Sequence, residues 1–121
     1  MASTLSKKKP KTILVVDDED AIRGLITLIL RQEGYAVLEA ADCEDAENIH
    51  RRHHGRIDLL LTDVSLPGPN GPELVAALRR SEPDLQVIFM SGLPEPDEDA
   101  PILRKPFGVA ELLRQVKTFV E

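Results

Sequence analysis

The chain has 121 residues, of which 42% are hydrophobic and 30% are charged, proportions that are ordinary for one globular domain. Twenty-one acidic against 15 basic residues give a net charge of −6, which argues against a nucleic-acid-binding role. No apolar run approaches the roughly 18 residues of a membrane span. A single cysteine excludes an internal disulfide and fits a reducing compartment, so we expect a cytoplasmic protein.

The basic run KKKPK, which starts at Lys7, contrasts with the acidic balance of the whole chain. A short run of like charges close to a terminus indicates a solvated, flexible arm rather than a nucleic-acid-binding tail. We therefore expect an arm over residues 1–10 and one domain over residues 11–121. No nucleic-acid partner and no membrane contact are expected for that domain.

Five short segments are predicted to be strands, and the first is a continuous apolar run rich in β-branched residues, as expected of a strand that is covered on both faces. They are the segments 12–16, 35–40, 57–63, 85–92 and 101–107. Four further segments carry apolar residues at helical spacing, as amphipathic helices do. They are the segments 18–34, 42–54, 72–81 and 108–120.

Local signals mark several ends of these helices. Gly34 and Gly55 are placed to end the first two, and Pro72 is placed as the first residue of the third. Five apolar side chains of the last helix are expected to point inward: Val109, Leu112, Leu113, Val116 and Val120.

The alternation of strands and helices predicts parallel strands joined by right-handed crossovers. Five such units make a doubly wound α/β sandwich, in which ligands bind beyond the carboxyl ends of the strands. The segment 92–104, between the fourth strand and Lys105, holds three prolines and four acidic residues but no apolar face. There we expect a loop or a single turn in place of a full fourth helix.

Chemically active side chains end four of the five predicted strands. Asp17 and Asp18 follow the first, Asp63 ends the third, Ser91 ends the fourth and Lys105 lies on the fifth, whereas the second lacks such a group. Clustered carboxylates repel one another, and a hard cation such as Mg²⁺ relieves that repulsion. A carboxylate in such a site can also attack phosphorus, while an ammonium and a hydroxyl hold the phosphoryl oxygens.

Four motifs, ILVVDDED, LLLTDVSLPGPNGPEL, VIFMSG and KPF, occur in this order over nearly the whole chain from about residue 11. Together they resemble the receiver domain of two-component response regulators, in particular the receivers attached to hybrid sensor histidine kinases. The resemblance implies a five-stranded, flavodoxin-like parallel sheet of order 2-1-3-4-5, with the fourth helix shortened or absent.

The resemblance also assigns roles to the residues at the strand ends. Asp63 is implied as the phosphoacceptor, with Lys105 and Ser91 as the groups that contact the phosphoryl group. A Mg²⁺ ion, for which Mn²⁺ can substitute, is implied to bind four ligands: Asp17 (directly or through water), Asp18, Asp63 and the backbone carbonyl of Ser65. A cis peptide bond is implied before Pro106.

The implied function is that of a signalling module rather than an enzyme, apart from self-phosphorylation from a phosphodonor and the loss of the phosphoryl group by hydrolysis. The implied donor is a sensor histidine kinase or a histidine phosphotransfer protein, and the downstream protein is unknown. The chain departs from the family at Ile102, three residues before Lys105, where receivers carry an aromatic switch residue. We expect this departure and the short segment before it to alter the output face.

Other interpretations of the same residues stay open. The acids could form a small phosphatase of the haloacid dehalogenase type, with Asp18 and Asp20 as its acidic pair, or the domain could bind proteins without being phosphorylated. Asp18 or Asp20 could simply cap the first helix. His50, His53 and His54 share a predicted helical face, for which a solvated surface is favoured over a transition-metal site.

Overall fold

A computed structural model describes residues 10–92 and 101–121 of the chain, in which five β-strands and four α-helices occur. The strands are β1 (Thr12–Val16), β2 (Ala36–Ala40), β3 (Leu59–Asp63), β4 (Val87–Ser91) and β5 (Ile102–Arg104). The helices are α1 (Asp20–Gln32), α2 (Cys43–Arg52), α3 (Gly71–Arg79) and α4 (Val109–Val120).

All five strands are parallel and lie in the order β2-β1-β3-β4-β5. This confirms the doubly wound α/β fold with the flavodoxin-like strand order. The chain adds β2 on one side of β1 and then returns to add β3 on the other side, so the order reverses between β1 and β3. Ligands of such sheets bind at this reversal, beyond the carboxyl ends of the strands.

Two apolar cores form because both faces of the sheet are covered. Ile13 and Val15 of β1 pack in the core on the side of α1 and α4, whereas Leu14 and Val16 pack in the core on the side of α2 and α3. These four side chains are 0% exposed. Burial of each such side chain stabilises the fold by about 1.5–3 kcal/mol relative to exposure. A strand that is covered on both faces therefore favours apolar residues at every position, and this is the pattern from which β1 was predicted.

The ends of the helices follow the local signals closely, with small differences. Gly34 adopts a positive φ of 101° directly after the cap of α1, and the amides of Gly34 and Tyr35 bond back to Arg31 and Leu30. This is the Schellman arrangement that glycine favours. Helix α3 begins at Gly71, so Pro72 is its second residue rather than its first.

Two strands were predicted too long, because the hydrogen-bonded pairing of each strand covers fewer residues than its apolar pattern does. Strand β3 begins at Leu59 rather than at residue 57, and β5 spans three residues rather than the seven of 101–107.

Val109 was predicted to point inward but is 53% exposed, whereas Leu112, Val116 and Val120 are buried.

Two expectations concern residues outside the described ranges. The flexible arm was predicted for residues 1–10, of which 1–9 are not described, and the loop or single turn was predicted largely over residues 93–100. Both stay predictions. Of the helices in the described residues, none has the length and apolar character needed to cross a membrane.

Candidate functional site

Three carboxylates meet at the carboxyl ends of β1 and β3. Val16 pairs with Thr62 across the two strands, so the next residues, Asp17 and Asp63, lie side by side. Together with Asp18, each offers one oxygen atom, and these three oxygens lie within 4.8 Å of one another. Asp17 is fully buried, Asp63 is half-buried and Asp18 is exposed, so the cluster opens to solvent on one side.

The ammonium group of Lys105 bridges two of these carboxylates. Its Nζ donates to Asp17 Oδ2 and to Asp63 Oδ2, each at 2.9 Å, and lies 3.8 Å from a carboxylate oxygen of Glu19. Burial alone lowers the pKa of Lys105, but the hydrogen bonds to Asp63 and Asp17 outweigh that effect and raise the pKa above its ordinary value. The lysine is therefore positively charged at neutral pH. Its peptide bond to Pro106 is cis, as the resemblance implied.

The carboxylate of Asp63 is held by a second contact on the loop that follows β3. Its Oδ1 accepts a hydrogen bond from the backbone amide of Ser65 at 3.1 Å. This loop returns to the strand because the amide of Gly71 donates to the carbonyl of Val64 at 2.9 Å. Ser65, implied as a carbonyl ligand, is exposed and lies beside the carboxylate cluster through this bond to Asp63.

Ser91 is buried and is the last residue of β4, the neighbour of β3 in the sheet. Its backbone carbonyl accepts a hydrogen bond from the amide of Lys105 at 2.8 Å, which ties the ends of β4 and β5 together. All the predicted site residues thus stand at one edge of the sheet. Ile102, the departure from the family pattern, is half-buried on β5 opposite Phe89.

Sequence reasoning missed the contribution of the second strand, which was expected to lack a chemically active group. Glu39, the penultimate residue of β2, accepts a hydrogen bond at 3.2 Å from Nε of Arg23 on α1. Arg23 in turn donates at 2.7 Å to the backbone carbonyl of Asp17. The sole sequence signal was an acid near the end of β2, and nothing local connects it to an arginine 16 residues earlier.

The acidic run after β1 does not act as a side-chain cap of α1. The N-cap residue is Glu19, whose side chain makes no capping bond, and the Glu19 amide instead bonds Oδ1 of Asp17 at 2.9 Å. Asp20 lies in the first turn of α1, where its carboxylate pairs with Arg23. This placement gives no support to a pair of acids formed by Asp18 and Asp20, as the haloacid dehalogenase interpretation requires.

The donor set at the site fits a hard divalent cation, because it consists of carboxylate oxygens at one open edge. In the part of the chain that the structure describes, Asp17, Asp18 and Asp63 are the sole group of three acid, histidine or cysteine side chains close enough to share a metal ion.

The three histidines do not share a helical face, since α2 ends at Arg52 and His53 is its extended cap. His50 lies 2.5 Å from a carboxylate oxygen of Glu82 instead.

Comparison with known proteins gives a family match over most of the chain. The family model for the response regulator receiver domain matches residues 13–117. The sensor kinase CckA of Brucella abortus is 36% identical over 118 residues, which cover 91% of this chain and 12% of the kinase. Two curated transcriptional regulatory proteins are matched over 50% of their own lengths, so the chain spans only part of these relatives.

Solved structures agree with that match. The receiver domain of the hybrid histidine kinase CckA is 40% identical, with a TM-score of 0.81 over 91% of this chain and 99% of that one. The response regulator TrrA of Thermotoga maritima, solved in complex with Mg²⁺ and beryllium fluoride, is 32% identical. Its TM-score is 0.79 over 90% of this chain and 98% of that one.

Proposed function

This chain belongs to the response regulator receiver domain family, and from that premise we propose that Asp63 accepts a phosphoryl group from a phosphohistidine in a Mg²⁺-dependent reaction. The observation that carries this proposal is the cluster of Asp17, Asp18 and Asp63 within 4.8 Å, with Lys105 bonded to two of the three carboxylates. The cluster stands at the edge of the sheet where ligands of this fold bind.

The proposed step is a nucleophilic substitution at phosphorus. A carboxylate oxygen of Asp63 forms a bond to phosphorus as the bond from phosphorus to the histidine ring nitrogen breaks, and the ring nitrogen keeps the electron pair. Water later cleaves the aspartyl phosphate and releases inorganic phosphate, which restores the carboxylate. The contacts to the Ser65 amide and to Lys105 fix the orientation of Asp63 before the donor arrives.

The residues around Asp63 support this step electrostatically. Asp17, Asp18, Asp63 and the carbonyl of Ser65 are the proposed ligands of Mg²⁺, which when bound neutralises the carboxylates and the phosphoryl oxygens; Mn²⁺ is the proposed substitute. We propose that Lys105 exchanges its bond to Asp63 for a phosphoryl oxygen and that the hydroxyl of Ser91 donates to another. Both groups then act on negative charge as it develops.

The donor has to approach over the same edge of the sheet, and an apolar groove lies there. The groove has a volume of about 300 Å³ between α1 and the segment that begins at Lys105. Its walls include Leu25 and Val109, which are 58% and 53% exposed and are unusually open for large apolar side chains among the described residues. Since the groove ends at Lys105 itself, we propose that a helix of the phosphohistidine donor seats there and brings its ring to Asp63.

The remaining parts of the proposal concern location and other partners. A donor of the sensor kinase or phosphotransfer type implies a cytoplasmic location, with which the one free cysteine is compatible. The net charge of −6 supports a protein rather than a nucleic acid as the downstream partner.

Intact-mass spectrometry after incubation with acetyl phosphate and Mg²⁺ tests the phosphoacceptor. We expect a single phosphoryl adduct on the wild type and on Asp84→Asn, a control in which the altered carboxylate is exposed and lies before β4. The adduct should be absent without Mg²⁺ and absent in Asp63→Asn. Turnover of a simple phosphomonoester would favour a phosphatase instead, and the lack of both an adduct and beryllium fluoride binding would favour a phosphorylation-independent module.

Two matched leucines on one helix test the donor groove. Leu25 lines the groove, whereas Leu28 is 53% exposed and is not part of its walls. We expect Leu25→Asn to slow transfer from a phosphorylated histidine phosphotransfer protein about tenfold and to leave phosphorylation by acetyl phosphate unchanged. Leu28→Asn should change neither rate. Equal rates for the two variants with the protein donor would place the contact elsewhere.

A further inference from the structure

Arg23 is half-buried beside the loop from Asp17 to Glu19. Its guanidinium donates three hydrogen bonds, two to carboxylates and one to a backbone carbonyl. Its guanidinium donates to the backbone carbonyl of Asp17 at 2.7 Å, to Asp20 at 2.7 Å and to Glu39 at 3.2 Å. Its side chain is 17% exposed, against 87% for Asp20 and 34% for Glu39. Because Asp17 belongs to the carboxylate cluster, the bond to its carbonyl is the contact of Arg23 that lies next to that cluster.

Lys105 holds the side chain of Asp17 in this loop, whereas the backbone from Asp17 to Glu19 has few restraints besides Arg23. The Asp17 amide bonds to the carbonyl of Ala40 at 3.2 Å, and the Glu19 amide bonds to the side chain of Asp17 at 2.9 Å. Arg23 fixes the remaining polar group of the Asp17 backbone and anchors it to Glu39 on β2 and to α1 at once. The planar fork of a guanidinium can hold several acceptors in fixed directions, which an ammonium cannot do.

We propose that Arg23 is a positioning residue, which holds the β1–α1 loop so that Asp17 and Asp18 present their carboxylates to Mg²⁺. This role presupposes the Mg²⁺ binding proposed above. Glu39 is the counterpart of Arg23 in this role, and through it the second strand contributes to the site.

The sign of the effect on Mg²⁺ affinity separates positioning from charge. A guanidinium that acted only through its charge would repel the cation, so its removal would strengthen Mg²⁺ binding. A guanidinium that holds the ligands in place has the opposite effect, since its removal lets the loop move and weakens binding. The variant Arg23→Lys keeps the charge and loses the fork, which isolates the geometric part.

The experiment compares Arg23→Lys and Arg23→Gln with Arg31→Gln by isothermal titration calorimetry with MgCl₂. Arg31 is a matched control, because it lies on the same helix and, like Arg23, donates to a backbone carbonyl, in its case that of Val37 on β2 at 3.1 Å. We expect Mg²⁺ affinity to fall about tenfold in both Arg23 variants, as is typical when a group that orients metal ligands is lost. The control should stay within about twofold of the wild type.

Amide hydrogen exchange of the metal-free proteins gives a readout that does not depend on Mg²⁺. The amides of Asp17 and Glu19 should exchange faster in the Arg23 variants than in the wild type or in Arg31→Gln. Affinity that is unchanged in Arg23→Lys, or stronger in Arg23→Gln, with unchanged exchange at these amides would overturn the positioning role. Failure of the wild type to bind Mg²⁺ would instead refute the proposed function, while the exchange result would still decide whether Arg23 holds the loop.

Discussion

The backbone approach at Gly71 yields a sharp prediction, because a single added methyl group meets the backbone of Asp63, the proposed phosphoacceptor. An alanine Cβ at position 71 would lie 2.5 Å from the carbonyl oxygen of Asp63 and 3.1 Å from the Cα of Val64. Neither atom belongs to a flexible side chain, so relief requires the loop after β3 to move away from the strand. The same movement breaks the bond between the Gly71 amide and the Val64 carbonyl.

A second glycine, Gly24, serves as the control for this effect. Gly24 lies inside α1, and a Cβ at that position would meet no atom within 4 Å. We expect Gly24→Ala to stabilise the protein by about 0.5–1 kcal/mol, since alanine loses less backbone entropy in a helix. Gly71→Ala gains a similar entropic term but adds an overpacking cost of about 1–3 kcal/mol. The two variants should therefore differ by about 1–3 kcal/mol, with Gly71→Ala the less stable.

Urea unfolding followed by far-ultraviolet circular dichroism measures this difference, because the chain has no tryptophan to report by fluorescence. We also expect Gly71→Ala to accept a phosphoryl group from acetyl phosphate more slowly than Gly24→Ala, since the displaced loop carries the Ser65 amide that orients Asp63. Equal unfolding free energies for the two variants would refute the reasoning, because they would show that the loop after β3 absorbs a methyl group without strain.

Three further predictions concern buried polar groups away from the site. The hydroxyl of Thr27 is buried without a hydrogen-bond partner among the described residues, so Thr27→Val should raise the unfolding free energy in urea by about 1 kcal/mol, and a clear loss would contradict this. Burial first, and the hydrogen bond to Glu121 second, raise the pKa of Tyr35 above its ordinary value. The unfolded phenol then loses its proton at lower pH than the folded one, so stability falls as the pH rises above about 10, and Tyr35→Phe should flatten that fall in urea midpoints measured across this range. Burial, aided by a hydrogen bond to Glu47, raises the pKa of Cys43 to about 11, so iodoacetamide should label the native thiol at pH 8.5 far more slowly than the urea-unfolded one, and equal rates would show that the thiol is accessible.

Much of the fold could be predicted because burial on both faces of the sheet leaves a continuous apolar pattern. Strand β1 was predicted at its observed bounds, and the side-by-side position of Asp17 and Asp63 follows from parallel strands that end at one edge. The ends of β5 and the exposure of Val109 could not be predicted in this way. An apolar residue has the same local pattern whether it fills a core or lines an open groove, and the neighbours that decide this are distant in sequence.

Which chemically active side chains end the strands could be predicted from the sequence alone, because this depends only on their order along the chain. Residue type alone, without the family resemblance, could not rank the four consecutive acids from Asp17 to Asp20, which carry the same charge in one short turn. Tertiary structure separates them: Asp17 is buried against Lys105, Asp18 opens the cluster to solvent, Glu19 caps α1 through its backbone, and Asp20 pairs with Arg23. The physical reason is the turn from strand to helix, which brings Asp17 against Lys105, just after β5, and leaves Asp20 beside Arg23 on α1.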